Sequence, residues 1–434
     1  MNKEILRLAI PNIISNISIP LISSVDTALM GRMSPLHIGA VGIGAMVFNF
    51  IYWNFGFLRM GTTGITAQAF GAKQESTVIL TLLRALIIGV VVALTVMILQ
   101  TSIGRISFSL LNVSENQLDL VQRYFDVRIW AAPATLCLYG LMGWFFGMQN
   151  AIYPLVLTIV INVLNLGLSF FFVFYWGMDV EGVAWGTVIA QYTGLSLGIF
   201  LFFFKYRYLL DRILLSAVVE WKALKHFFQI NWDIFLRTVC LTFAFGFFYS
   251  QSSVLGDQIL AINVILLQFL NWMSYGVDGF AYASESLVGK YKGAKQLPEV
   301  RRAIRYVFAW GTFLAILFSL LYGGLQGPLL DLFTDDEPLK LATAPYFFWM
   351  ILLPIIGTPC YIWDGVFVGL VASRAMRDSM LIALLIYLLS YYFWLTNYGN
   401  HGLWLALMIF LFVRGVIQFA LYRWGDVGLT EREA

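Results

Sequence analysis

The sequence predicts an all-α polytopic membrane protein with twelve transmembrane helices in two six-helix lobes. Three observations predict it. Charged residues make up only 12% of the 434-residue chain and hydrophobic residues 60%, whereas a soluble domain carries roughly 25% charged residues. The apolar residues fall in continuous runs near the ~20 residues a helix needs to cross a bilayer core, without the short alternating segments of barrel strands. The second half of the chain also repeats the first at a constant offset.

So few charges cannot coat a soluble surface of this size, which excludes a cytosolic enzyme, a secreted module and a disordered linker. A net charge of +3 gives no case for nucleic acid. Cys137, Cys240 and Cys360 lie far apart in apolar runs. They form neither a metal-binding spacing nor a disulfide framework and read as small packing residues.

The twelve runs lie at about 9–31, 38–60, 77–100, 121–147, 152–176, 183–204, 230–252, 257–285, 304–325, 343–370, 379–397 and 403–422. The first follows only eight mostly polar residues and lacks a small-residue cleavage site, so it does not read as a removable signal peptide. Basic residues set the orientation. Lys3, Arg7, Lys73, Arg84, the Lys205–Lys225 segment, Lys290–Arg305, Arg374, Arg377, Arg423 and Arg432 fall on one side. Arg32, Arg105, Arg123, Arg128 and Lys340 fall on the other, with Asp331, Asp335, Asp336 and Glu337. The positive-inside rule then predicts that both termini are cytoplasmic.

The repeat is carried by Gly71-Ala72-Lys73-Gln74, which returns as Gly293-Ala294-Lys295-Gln296, 222 residues later. The same offset relates Asn49 to Asn271, Tyr139 to Tyr361, Gly143 to Gly365, Gly147 to Gly369 and Gly177 to Gly399. An even-numbered unit repeated in this way gives two copies running in the same direction, a parallel repeat. The lobes are expected at 1–204 and 230–434. Between them, 205–229 forms a linker with a helix lying on the cytoplasmic surface. Two such bundles suggest a cavity and alternating access. No Walker A or HExxH motif is present, which argues against ATP-driven pumping and leaves gradient-driven transport as the leading class.

An ionisable group inside the bilayer is expensive and is a functional candidate by default. Asp26 sits inside the first span with no cation within a helical turn. Burial disfavours its charged form, which suits a group that takes up a proton on one side and releases it on the other. An N-capping acid near the helix end is the structural alternative. Asp364 lies deep in the tenth span, near Pro354 and Pro359. It reads equally as a transport residue or as the tie of a broken helix. Asp278 and Glu285 share a face of the eighth span. Asp233 and Arg237, four residues apart, are expected to pair with each other. Arg59 and Arg414 are expected to find Glu285 or lipid headgroups. Asn162, Asn165, Ser169, Thr187, Gln191 and Tyr139 either stitch helices together, at roughly 0.6 kcal/mol each, or form a hydrogen-bond network around Asp26.

At these residues the sequence resembles the multidrug and toxic compound extrusion (MATE) transporters, and within them the DinF-like branch. The resemblance covers essentially the whole chain. It is carried by Leu8-Ala9-Ile10-Pro11-Asn12 with Val25-Asp26-Thr27-Ala28, and by Leu58-Arg59-Met60 through Ala67-Gln68-Ala69-Phe70-Gly71-Ala72-Lys73. In the second half it is carried by Asp278-Gly279-Phe280-Ala281-Tyr282-Ala283, Asp364-Gly365-Val366-Phe367-Val368-Gly369 and Gly399-Asn400-His401-Gly402-Leu403-Trp404-Leu405-Ala406.

The resemblance implies a V-shaped cleft between two lobes and antiport of a drug-like compound against protons or sodium. It puts the proton-coupling acid at Asp26 and a protonation-dependent helix bend at Pro11, fifteen residues earlier. It puts a substrate and hydrogen-bond network at Tyr139, Asn165, Ser169, Thr187 and Asp364. Two departures lean toward protons. The family's second fifth-helix acid is Ser169 here, and the middle of the seventh span, 238–250, holds no acid to join Asp364.

The expected function is a multidrug efflux antiporter, not an enzyme, exporting organic cations in exchange for protons. No cofactor and no resident metal are expected. The protein should be a monomer crossing the bacterial inner membrane many times, with a small-molecule substrate and the lipid bilayer as its partners. The alternatives are a sodium-coupled exporter, a flippase for lipid-linked precursors, or a non-transporting membrane scaffold.

Overall fold

A computed structural model describes residues 1–31, 34–111, 113–212, 215–218 and 220–425, without the side chains of 19–31, 35, 215, 216, 394 and 395. Arg32 and Arg432, used above for orientation, lie outside the described residues.

The described residues form helices and connecting turns, with no strand among them. In order these are α1 (Asn2–Gly31), α2 (Pro35–Asn54), α3 (Phe57–Gly71), α4 (Glu75–Ile98), α5 (Gln100–Leu110) and α6 (Glu115–Arg128). Then follow α7 (Ala132–Gly147), α8 (Ile152–Phe170), α9 (Val180–Tyr206), α10 (Leu215–Val218), α11 (Trp221–Val254) and α12 (Asp257–Gly293). The chain ends with α13 (Leu297–Gly324), α14 (Gln326–Asp331), α15 (Glu337–Thr343), α16 (Phe347–Gly369), α17 (Ser373–Ser390) and α18 (Gly399–Trp424). Among the described residues, 11 helical segments from Leu36–Gly71 to Thr396–Trp424 are long and apolar enough to cross a membrane. With α1, whose second half lacks described side chains, they correspond to the twelve expected spans. The seventh begins earlier than expected, at Trp221.

The chain divides into two compact units. The first comprises Ile14–Phe228, the second Met1–Ile13 with Gln229–Ala434. The division falls inside α1, just after Pro11, and not at the linker alone. The first turns of α1 belong to the second unit because polar and apolar contacts there hold them. Glu4 accepts from Lys290 at 3.2 Å and from the Tyr291 hydroxyl at 3.1 Å. Trp310 Nε1 donates to Asn2 Oδ1 at 3.2 Å. A methyl group added at Gly279 would meet the Ala9 carbonyl and the Ile13 side chain. Pro11 has no N–H for the helical ladder, and nearby the Asn12 side chain donates to the Leu8 carbonyl at 2.8 Å.

The repeat is visible in the backbone. Left-handed conformation is uncommon outside glycine, yet it recurs in register. Lys73 and Lys295 both have φ 58°, Gln149 and Val371 have φ 60° and 53°, and Gly177 and Gly399 have φ 64° and 55°. Each pair is 222 residues apart. The first two pairs end α3, α12, α7 and α16 in the same way. At α3 the Gln74 amide donates to the Ala69 carbonyl at 2.9 Å and the Lys73 amide to Phe70 at 3.1 Å. At α16 the Ala372 amide donates to Phe367 at 2.9 Å and the Val371 amide to Val368 at 3.0 Å. These are Schellman ends, which satisfy the carbonyls a helix leaves open. Helix contacts repeat too. A methyl at Gly143 would strike the Arg59 carbonyl, and one at Gly365 would strike that of Ala281, the residue matching Arg59.

Candidate functional site

In the second unit, three long helices bring ionisable residues to one buried point. Asp364 comes from α16, Arg237 from α11, and Arg414 and Gln418 from successive turns of α18. Arg237 and Arg414 each donate through Nη2 to Asp364 Oδ2. Gln418 Nε2 donates to Asp364 Oδ1 at 2.7 Å. All four residues are buried, Arg414 to 1% exposure. The Arg414 guanidinium also lies over the Tyr361 ring, 5.7 Å from its centre. The helix that carries Asp364 contains Pro354 and Pro359, and the Cys360 thiol donates a hydrogen bond to the Gly357 carbonyl at 3.1 Å. A carboxylate taking three donors is a well-satisfied anion.

This arrangement corrects two expectations. Arg237 does not pair with Asp233, one turn away, because Asp364 offers it a carboxylate inside the bundle. Asp233, also buried, is held by α17 instead: Arg377 Nη1 donates to it at 2.6 Å and Ser373 Oγ at 2.9 Å. Arg414 does not turn to Glu285 or a headgroup but to Asp364, across the α16–α18 interface. The signal was available in part. Arg414 and Gln418 are four residues apart on one apolar helix, a spacing that puts both on one face.

A second polar group in this unit, not foreseen, is neutral. Asn263 Nδ2 donates to Asn400 Oδ1 at 2.7 Å and to Ser252 Oγ at 2.8 Å, and Trp404 Nε1 donates to Asn263 Oδ1 at 2.8 Å. It ties α11, α12 and α18 together.

The first unit has a different centre. Asn165 on α8 donates through Nδ2 to the Thr187 hydroxyl of α9 at 2.8 Å, and Thr187 donates to the Val183 carbonyl at 3.0 Å. Asn162 Nδ2 donates to Ser18 Oγ of α1 at 3.1 Å. Ser169 is fully buried, and its hydroxyl has no hydrogen-bond partner among the described residues. The helices are in contact here: a methyl at Gly186 would meet the Ser169 hydroxyl and backbone. Tyr139 is half-buried and packs against apolar clusters around Phe48 and Phe125 and around Leu58 and Ala85. Asp26 is carried on α1, but its side chain lies outside the described residues. The structure thus joins Asn165 to Thr187, leaves Ser169 beside them on α8, and places Asp364 in the other unit with its own partners.

The first unit also has an ionic network that sequence reasoning did not join. His37 Nε2 lies 2.9 Å from Asp179. Arg123 reaches Glu181 at 2.5 Å and Asp179 at 3.2 Å. These contacts connect the starts of α2 and α9 to α6. Among the described residues, no group of three or more His, Cys, Asp or Glu is placed to hold a metal ion.

Comparison with known proteins agrees with this architecture. The family model described as MatE matches the chain twice, at residues 11–171 and 234–396. The chain is 35% identical over 428 residues to the DNA damage-inducible protein F of Escherichia coli, covering 97% of this chain and 92% of that protein. It is 23% identical over 354 residues to a probable multidrug resistance protein NorM of Thermotoga maritima, covering 77% and 73%. The fold superposes on a crystal structure of a MATE protein in the bent conformation with a TM-score of 0.86 at 18% identity, covering 99% of this chain and 95% of that one.

Proposed function

The chain belongs to the MatE family of multidrug and toxin efflux transporters, and from that premise we propose that it exports organic cations in exchange for protons rather than sodium. The observation that carries the choice of ion is the engagement of Asp364. A sodium ion is held by oxygen lone pairs. Those of Asp364 are directed at two guanidinium groups and an amide, and the two neighbouring positive charges oppose a further cation. The seventh helix offers Arg237 there, not an acid.

In the first unit the position that would hold a second acid is Ser169, beside the neutral Asn165–Thr187 pair. Asp26 is then the acid proposed to carry the proton. Protonation removes its charge and the cost of burying it, and α1 changes its bend at Pro11. Tyr139, Asn165, Ser169 and Thr187 tune Asp26 and contact substrate. Transport follows only if substrate affinity differs between the two protonation states of Asp26. The protein is proposed to act as a monomer in a bacterial inner membrane, with both termini cytoplasmic.

The test is transport in proteoliposomes with proton and sodium gradients imposed separately, over a panel of lipophilic cations. Export should follow the proton gradient and be indifferent to sodium. Export driven by sodium alone would overturn the proposal.

A further inference from the structure

Several basic residues of the second unit have partners. Lys290 reaches Glu4 at 3.2 Å, Lys292 donates to the Leu370 carbonyl at 2.8 Å, and Arg302 lies 3.6 Å from Glu299. Arg377 is held by Asp233 and Asp378. Arg301, Arg305 and Arg423 are exposed, and their only charge interaction among the described residues is that of Arg301 and Arg423 with the Tyr422 hydroxyl, described below.

Arg301 and Arg423 converge on one place, and Arg305 lies one helical turn from Arg301 on α13. Phe308 follows on the same face. The Phe308 ring lies 5.0 Å from the Trp363 ring of α16. Trp363 in turn lies 4.8 Å from Tyr422 and 6.1 Å from Phe419, both on α18. Arg301 and Arg423 both act through their charge on the Tyr422 hydroxyl. Thus α13 and α18 each set an aromatic ring against Trp363 of α16, with Arg301 and Arg423 close enough to act on Tyr422. Further along α18 the exposed residues are Val416 and Phe412, a surface suited to acyl chains.

We propose that this is a binding site for one anionic phospholipid. Its phosphate would lie among Arg301, Arg305 and Arg423, and an acyl chain would run along Phe308 and Phe419, which flank the buried Trp363. Guanidinium groups pair with phosphate oxygens through two parallel N–H bonds. Aromatic rings favour the level of the headgroups. A zwitterionic lipid would bring its own cation to a place that already holds three. The site is independent of the transport reading above, since it concerns the rim of one unit and not the coupling residues.

The test is native mass spectrometry of the full-length protein in neutral detergent, titrated with phosphatidylglycerol or with phosphatidylcholine. The wild type should retain phosphatidylglycerol at least about fivefold more strongly. The triple variant Arg301→Gln, Arg305→Gln, Arg423→Gln should lose about tenfold or more in phosphatidylglycerol binding, since each basic residue near an anionic lipid is worth about fivefold. Replacing the same three with Lys should keep most of the binding. Replacing the exposed Lys222 and Lys225 with Gln should change it less than twofold. Melting of the delipidated triple variant at the wild-type temperature would exclude misfolding as the cause. Equal retention of the two lipids by the wild type would overturn the proposal. So would full phosphatidylglycerol binding by the triple variant.

Discussion

The two units share a fold but not a polar centre. At the repeat offset, Asp364 corresponds to Met142, Arg237 to Ser15, Arg414 to Tyr192 and Gln418 to Ser196. In the other direction, Asp26 corresponds to Phe248, Asn165 to Tyr387, Ser169 to Tyr391 and Thr187 to Ile409. Phe248 is fully buried and packs on Trp404, with ring centres 4.8 Å apart. Each half therefore keeps the other's polar positions free of charge. The backbone devices that fix the helices, the left-handed ends and the close glycine contacts, are common to both. The difference teaches that the duplication conserves helix ends and crossings, whereas the polar side chains were placed separately, on α11, α16 and α18 in one unit and on α1, α8 and α9 in the other.

The largest effect should come from breaking the buried charged centre of the second unit. Asp364→Ala leaves two buried guanidinium groups without their shared carboxylate. Removing one partner of a buried ion pair costs about 3–5 kcal/mol. Thermal melting in detergent should therefore fall steeply, and transport with it. A double-mutant cycle of Asp364→Asn with Arg237→Gln should show strong coupling, on the order of 1–3 kcal/mol. If Asp364→Asn instead melts like the wild type and loses only transport, the second unit's centre is a working site and the contrast between the units fails.

The next effect sharpens the contrast from the other side. Asp26→Asn should fold and melt near the wild type, because an amide of the same shape replaces a carboxyl set in an apolar span, where a charge is costly. Proton-driven export in liposomes should fall by at least about tenfold, the signature of a group needed in both protonation states. Unchanged export would move the coupling role out of the first unit.

The helices and the repeat were legible because lipid demands continuous apolar runs and because Gly and Lys markers return in register. What was not legible follows from geometry. Asp233 and Arg237 share a helix face by spacing, yet each finds a partner 127 or more residues away. A sequence shows the local pairing and hides the distant one. Asn165 and Thr187 were both singled out, and their hydrogen bond joins them as candidates. Asp364 was grouped with them from resemblance, and it belongs to the other unit, where it is bonded to Arg237, Arg414 and Gln418. The joining of Asn263, Asn400 and Ser252 went unforeseen, although Asn400 stands in a segment that carries the family resemblance, because each is an uncharged residue in an apolar run, informative only once the three helices meet.

A smaller effect is expected from Ser169→Asp, which restores a second carboxyl to the first unit. The position is fully buried and close to Gly186, so the larger side chain should cost about 1–3 kcal/mol through crowding. Transport should persist. Its pH dependence should shift, because two carboxyls in one site titrate as a pair and not singly. A pH profile identical to that of the wild type would place Ser169 out of reach of the proton-carrying group.

The smallest effect concerns Glu4, at the end of α1 that belongs to the second unit. Burial raises its pKa, but hydrogen bonding to Lys290, the Lys290 charge, the Tyr291 hydroxyl and the chain's amino group together outweigh this and hold the carboxyl below its ordinary value. A carboxyl whose pKa is lowered by folding stabilises the fold above its unfolded pKa, and that contribution is lost as pH falls through the folded value. Glu4→Gln should therefore lower stability slightly near neutrality and have no effect in acid. Glu4 is partly exposed, so solvent screening keeps the contribution small. The same substitution loosens the start of α1 from α12, next to Pro11, where the unit boundary falls. Hydrogen exchange of the first turns of α1 should rise in Glu4→Gln at neutral pH and match the wild type below the carboxyl range. Equal exchange at neutral pH would mean that the Ala9–Gly279 and Asn2–Trp310 contacts hold this end of the helix without the ion pair.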